Sequence, residues 1–200
     1  MKLIFQEQTI QLEDYSTVET VIDKINKLLS DEFYFSHLIV DGVEVYEDPR
    51  QYLQGQLHMI DQLEVVTKTI GEFVNDLLLT AEDYIYRAIP EVKILTEDFY
   101  QNPTSESWSK FSQLLEGMLW LNQAVQIIDG TKKRPSNWFD YMKQSENLVN
   151  VLKSLEEAME NNDGILIADL LLYEIIPIFE SFSTVIRTTI DTEGYRIGVN

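Results

Sequence analysis

This chain of 200 residues has no cysteine and only two histidines, His37 and His58. The first absence removes disulfides, thiolate metal sites and cysteine nucleophiles, and it makes a cytoplasmic protein the simplest expectation. The second matters because helical bundles hold zinc or paired irons through His or Glu-x-x-His motifs, and both histidines fall in the first third of the chain. No glycine-rich phosphate loop, dinucleotide fingerprint or Gly-x-Ser-x-Gly elbow is present. Neither a metal nor an organic cofactor is expected. Positive charge is scarce too: 15 Lys and Arg stand against 34 Asp and Glu, for a net −19. Residues 1–66 carry −9 of it and the remainder −10, so no basic segment is hidden in an acidic average. Direct nucleic-acid binding needs cations at the phosphates and is disfavoured; anionic membranes are disfavoured for the same reason. Solubility accounts for such a charge, and the sharper reading is a basic protein partner, or mimicry of nucleic acid.

Long uninterrupted apolar runs are also missing. Met1–Phe5 meets a polar break at Gln6, which argues against a signal peptide. The most apolar stretch, from Ile165 to Ile190, is broken by Asp169, Glu174 and Pro177. It reads as a central helix needing neighbours on several sides, and not as a membrane span. Pro177 predicts a kink near Leu172 and Tyr173.

What is present falls into two rhythms. Lys2–Gln6 and Thr9–Leu12 suit a hairpin, and Ser16 with Glu19 has the spacing of a capping box. Behind it Val18, Val21, Ile22, Ile25, Leu28 and Leu29 recur at helical spacing. Asp41-Gly42, between Leu38-Ile39-Val40 and Val43-Glu44-Val45, is the strongest turn signal in the chain, since that pair accepts the positive φ angles of a two-residue hairpin. A short piece after Pro49 and a last strand at Gln62–Val66 complete the set. Strand, strand, helix, strand, strand, short helix, strand is the order of a β-grasp. Residues 1–67 resemble a ubiquitin-like domain, most clearly in Leu38-Ile39-Val40-Asp41-Gly42 and Leu63-Glu64-Val65-Val66. The resemblance implies a sheet used for protein docking. It does not imply conjugation or sulfur transfer, because Val66 continues into Thr67-Lys68-Thr69-Ile70 and not a terminal Gly-Gly.

Beyond that point the period is helical. Ile70 to Ala88 form a stripe that Pro90 should end or kink, with Val92, Leu95 and Phe99 continuing it. Thr104 or Ser105 can cap a second helix, closed by Asp129-Gly130. Ser136 or Asn137 can cap a third, with Trp138, Met142, Leu148, Val149, Leu152, Leu155 and Met159 on one side. Asn161-Asn162-Asp163-Gly164 is a turn whose register fails as a calcium loop, because Met159 and Leu170 fall where oxygen ligands are required. Thr188–Asn200 has little periodicity and reads as a loop or loosely docked end. The predicted architecture is α+β: a β-grasp (ubiquitin-like) domain over 1–67, then an antiparallel bundle of four main helices over 68–200.

Few residues suggest chemistry. Asp169 and Glu174 lie in the helix expected to be most buried, where a carboxylate must be paired, hydrogen-bonded or protonated. With Tyr173 and Glu116 they form the candidate polar pocket; the plainer reading places them at seams or helix ends. Trp108 and Trp138 read as core, while Trp120, off the main stripe, is a candidate interface anchor. Lys132, Lys133 and Arg134, the only consecutive basic residues, could meet an acidic ligand or simply face solvent. No nucleophile or base accompanies the carboxylates, so the sequence leans away from an enzyme. The favoured reading is a non-enzymatic adaptor or regulatory module for a protein partner. The alternatives are a small-molecule binding protein or enzyme with a pocket in the bundle, and self-association through the helices.

Overall fold

The computed structural model describes residues 1–13, 16–29 and 32–196. The chain is α+β, an N-terminal five-stranded sheet followed by a helical region. It divides into two compact units, Met1–Phe73 and Val74–Asn200.

In the first unit, β1 (Lys2–Phe5) and β2 (Gln8–Gln11) form the expected hairpin. Helix α1 (Val18–Leu29) follows, then β3 (Phe33–Val40), β4 (Val43–Val45), α2 (Pro49–Leu53), a single 3-10 turn at Leu57–Met59 and β5 (Gln62–Thr69). The strand order is β2-β1-β5-β3-β4. The first and last strands pair in parallel at its centre, Leu3 beside Leu63 and Phe5 beside Val65. The turn between β3 and β4 adopts the left-handed angles that Asp-Gly allows, φ 49° at Asp41 and 86° at Gly42. Asp41 does more than turn the chain: its Oδ1 accepts from the Gln62 amide at 2.7 Å and the Asp61 amide at 3.1 Å, fixing where β5 begins.

Alternation decides which side of the sheet is covered. Leu3, Phe5, Leu38, Val40, Val45, Leu63 and Val65 point to one face and are buried with Val21, Ile25, Leu53 and Ile60. Burying side chains of this size contributes roughly 1.5–3 kcal/mol each. Val18, Ile22, Leu28 and Leu29 are partly buried against the same core, as the helical spacing predicted. The cap of α1 differs from expectation. Thr17 Oγ1 accepts from the Thr20 amide at 3.2 Å, while the Ser16 hydroxyl turns back to the Glu13 carbonyl. A nearer Thr with its own downstream hydroxyl outcompetes the Ser16–Glu19 pair for the first-turn donor. Strand β5 also runs to Thr69, three residues past the expected end. There a capping box stops it: Thr69 Oγ1 accepts from the Glu72 amide and Glu72 Oε2 accepts from the Thr69 amide at 2.7 Å.

The second unit is built from α3 (Ile70–Gln101), which starts in the first unit, α4 (Ser105–Asp129), α5 (Trp138–Glu160), α6 (Gly164–Leu170) and α7 (Ile176–Glu193). Pro90 does not end α3. The helix runs on for 32 residues, and Val92, Leu95 and Phe99 are buried as expected. Thr104 caps α4 through a reciprocal bond with Ser107. In α4 Gly117 is required by packing: a β-carbon there would collide with the ring and hydroxyl of Tyr84 on α3.

Pro177 acts differently from Pro90. Between α6 and α7 the chain makes one wide π turn, Leu171–Ile175, in which the Ile176 amide bonds to the Leu171 carbonyl five residues back. The Pro177 nitrogen has no hydrogen to donate, and this wide turn stands just before it, at the position where a kink is predicted. Ile167, Leu171, Ile175, Phe179, Phe182 and Ile186 are buried on one side. Ile165 and Tyr173 are 63% and 65% exposed, so the helix is not enclosed all round as its composition suggested. Nor does α7 stop near Thr188. It continues to Glu193, and residues 194–196 are held against α3; the last four positions of the expected loose tail, 197–200, lie outside the described residues.

Two further expectations are corrected in α5. Asn137 stands at the cap position, but its side chain makes no cap bond; its amide nitrogen donates to the Val185 carbonyl and its oxygen accepts from Thr189. The buried stripe is Tyr141, Ser145, Leu148, Val151, Leu155 and Ala158, whereas Met142 and Met159 are exposed. The methionines suggested a stripe rotated toward solvent because the true one passes through polar Tyr141 and Ser145.

Candidate functional site

The face of the sheet opposite the core carries half-buried apolar side chains that do not belong to the core cluster. Pairing sets its first row: Thr9, Ile4, Glu64, Ile39 and Glu44 stand side by side across all five strands. Two residues along β5, Val66 faces His37. The His37 ring stacks on Tyr46 at 4.6 Å, and the Tyr46 hydroxyl donates to Glu44 at 2.8 Å. Glu44 is the main reason the Tyr46 hydroxyl gives up its proton less readily than usual. Farther along, Lys68 pairs with Tyr34, whose ring stacks on Phe73 at 3.9 Å. Ile4, Ile39, Val66 and His37 are half-buried and sit outside the core cluster, while Tyr46 and Val43 are 71% and 64% exposed. The result is a face on which Ile4, Ile39 and Val66 surround Glu64 on the central strand, with Glu44 at the edge strand. His37 belongs to this face as a stacked ring, with Ser36 Oγ at 3.1 Å from Nδ1.

The polar candidates of the helical unit do not make a buried pocket. Glu116, Tyr173 and Glu174 are exposed and Asp169 is half-buried. Of these, Tyr173 and Glu174 lie within the π turn itself. Asp169 has one clear partner, the Tyr100 hydroxyl of α3, which donates to Oδ1 at 2.5 Å. That bond, with burial and the nearby Asp169 and Tyr173 charges adding to it, pushes the Tyr100 hydroxyl up to about 12. A phenol held protonated this firmly serves as a donor and not as a base at neutral pH. Glu174 instead lines an open groove of about 480 Å³ between α5 and the π turn, with Lys143, Gln144, Asn147, Asn150 and Ser154 opposite Leu170, Pro177 and Ser181.

Trp120 is half-buried and meets Tyr84 edge-on at 6.0 Å. Tyr84 in turn meets Phe179, and burial raises its hydroxyl to about 12. Trp108 is 39% exposed over Phe99 and Phe111, and Trp138 is half-buried with its indole nitrogen donating to Asp129 at 2.8 Å, so neither is the enclosed core residue expected. Of the basic loop, Arg134 closes the end of α4: its guanidinium donates to the Asp129 carbonyl at 2.6 and 3.0 Å and faces the Asp129 carboxylate at 3.3 Å. Lys132 and Lys133 are exposed. Among the described residues no group of three or more His, Asp or Glu side chains is placed to hold a metal ion. No described helix is long and apolar enough to cross a membrane.

Sequence reading missed the polar contacts that join distant parts of the helical unit. Tyr141 Oη lies 2.8 Å from Thr189 Oγ1, Ser145 donates to Asn122 at 2.6 Å, and Asn75, only 5% exposed, makes two bonds to the Tyr195 backbone. Their one sequence trace is a polar residue within an apolar stripe, a signal that does not name the partner.

No curated protein and no solved structure matches the chain. A family model described as a domain of unknown function, DUF8042, matches residues 76–185, all within the helical unit. That match spans more than half of the sequence, and the chain belongs to the DUF8042 family.

Proposed function

We propose that this is a non-enzymatic cytoplasmic adaptor or regulatory module that docks a protein partner on the open face of its N-terminal sheet. The first unit is read as a ubiquitin-like β-grasp, which the strand order and the parallel pairing of first and last strands support. The helical region is read as an antiparallel bundle of four main members, with α6, the π turn and α7 as one of them. The short connections 102–104 and 161–163 support this.

The observation that carries the docking reading is the row Ile4–Glu64–Ile39–Glu44 with Val66 beside it, in which half-buried aliphatic side chains flank one carboxylate on the central strand and a second carboxylate stands at the edge. Protein interfaces combine apolar and polar side chains on one surface, and this face offers both. The two carboxylates, together with the −19 charge of the chain, select a partner with a basic rim and speed its approach. The test is to isolate the partner from native extract with the full chain and titrate it against Ile39→Arg and Glu64→Lys. Each is expected to weaken binding by about tenfold or more. A chain that stays partnerless in its native extract, or a partner indifferent to both changes, would end the proposal. Trp120 is the weaker anchor candidate, because its ring already packs on Tyr84.

The groove beside Glu174 favours one second reading, a small polar ligand held by the α5 amides. A thermal-shift screen decides it, since a ligand that binds only the folded state raises the midpoint and Glu174→Ala would cancel the rise.

A further inference from the structure

The end of the described chain is bound in a way that reads its backbone and one side chain. Asn75 on α3 donates from Nδ2 to the Tyr195 carbonyl and accepts the Tyr195 amide on Oδ1, both at 3.0 Å. A carboxamide used at both atoms copies the donor and acceptor pair that a neighbouring β-strand would offer. Two turns along α3, Glu82 accepts Arg196 through both oxygens, at 2.6 and 3.1 Å. Its side chain is 15% exposed, and Arg187 at 3.6 Å supplies a second cation. Between these two contacts the approach is tight. A β-carbon on Gly194 would lie 2.5 Å from Asn75 Oδ1, the atom that accepts the Tyr195 amide, and 2.9 Å from the α-carbon of Ile190 at the end of α7. Gly194 has φ −99°, open to any residue, so proximity alone demands glycine there.

We infer that Asn75 and Glu82 form a peptide-recognition site for segments in which glycine precedes arginine by two positions, occupied in this structure by the chain's own Gly194-Tyr195-Arg196. Each element of that preference has a separate physical source. The Asn75 carboxamide takes any main chain in extended form, the missing β-carbon selects glycine, and the two Glu82 oxygens match the planar fork of arginine better than the point charge of lysine. The strap is tethered, so it competes at an effective concentration in the millimolar range and leaves the site only when a partner segment outcompetes it. The site lies within the helical unit and stands independently of the sheet-face proposal; its variants leave Ile39 and Glu64 untouched.

The experiment uses the full chain and a fluorescent, end-capped peptide Glu-Gly-Tyr-Arg. Gly194→Val lifts the strap by the collision described, and the peptide is expected to bind this variant roughly tenfold more tightly than the unaltered chain. Replacing the peptide glycine by alanine, or adding Glu82→Gln to the open variant, is expected to abolish the gain. Equal binding to the open and unaltered chains, or binding indifferent to both the glycine and Glu82, would overturn the inference. Should Gly194→Val fail to fold, Arg196→Ala opens the Glu82 half of the site and must give the same Glu82-dependent gain.

Discussion

The two units use polar side chains for opposite purposes. In the sheet unit they act at the places where the chain reverses or changes structure: Asp41, at the β3–β4 turn, holds the start of β5 21 residues farther on, Asp48 caps α2 and Thr69 with Glu72 converts strand to helix. In the helical unit they span dozens of residues. Tyr141 reaches Thr189, Asn137 reaches Val185, Tyr100 reaches Asp169 and Asn75 reaches Tyr195. A sheet already has a backbone ladder to fix register, so its side chains need only place the turns. Helices satisfy their backbone internally and can slide or rotate against each other, so their relative setting rests on packing and on directional bonds between side chains.

That contrast can be broken at several points. The largest effect is expected from Phe179→Ala, which empties a fully buried site in α7 and should cost about 3–5 kcal/mol in denaturant titration. Next are two changes of similar size and different reach. Thr189→Val strands the Tyr141 hydroxyl and the Asn137 oxygen and should cost about 1–3 kcal/mol. Hydrogen exchange should then quicken in α5 and α7 together. Asp41→Ala removes a charged acceptor from two amides and should also cost about 1–3 kcal/mol, with faster exchange confined to the β3–β4 turn and the start of β5. Exchange that spreads equally in both variants would contradict the local-against-distant distinction. Glu72→Ala loses half of a capping box and should cost about 1 kcal/mol.

The smallest effect is acid sensitivity of the strap. The Arg196 guanidinium, opposed by partial burial and aided by Arg187, holds the Glu82 carboxyl below its ordinary range. A carboxyl lowered on folding contributes stability that is present above its unfolded value and is lost as pH falls through the lowered one. Nuclear magnetic resonance of the Tyr195 amide should therefore show the strap intact at neutral pH and opening only in acid below the usual glutamate range. Opening on the alkaline side would contradict the pairing.

Much of the sheet unit was legible because its determinants are short in sequence. Asp41-Gly42, the alternation of Leu63-Glu64-Val65-Val66 and the one-sided spacing of α1 each carry their own consequence. The misplaced cap at Ser16 and the early end of β5 came from rival signals within two or three residues of the true ones. In the helical unit the helical period and the turns after Asn102, Asp129 and Asn161 could be read, but where α7 ends, and which face of each helix is covered, could not. Tyr141 and Ser145 belong to the buried side of α5 only because Thr189 and Asn122 stand opposite them, and no local pattern announces that. Asp169 and Glu174 looked buried because their neighbours are apolar. Tyr173 and Glu174 lie instead in the exposed part of the wide turn, and Asp169 meets Tyr100 at the surface of α6.

That turn has a consequence for the arithmetic of the helix. Ile167, Leu171, Ile175 and Phe179 succeed one another at steps of four, which in a regular helix drift by about 40° each. The slack wound into Leu171–Ile175 absorbs the drift, like a leap day in a calendar. Removing a single residue from this stretch would restore regular winding and leave Phe179 and Phe182 facing the interior, whereas the same deletion in the regular helix on either side would swing everything after it by about 100°.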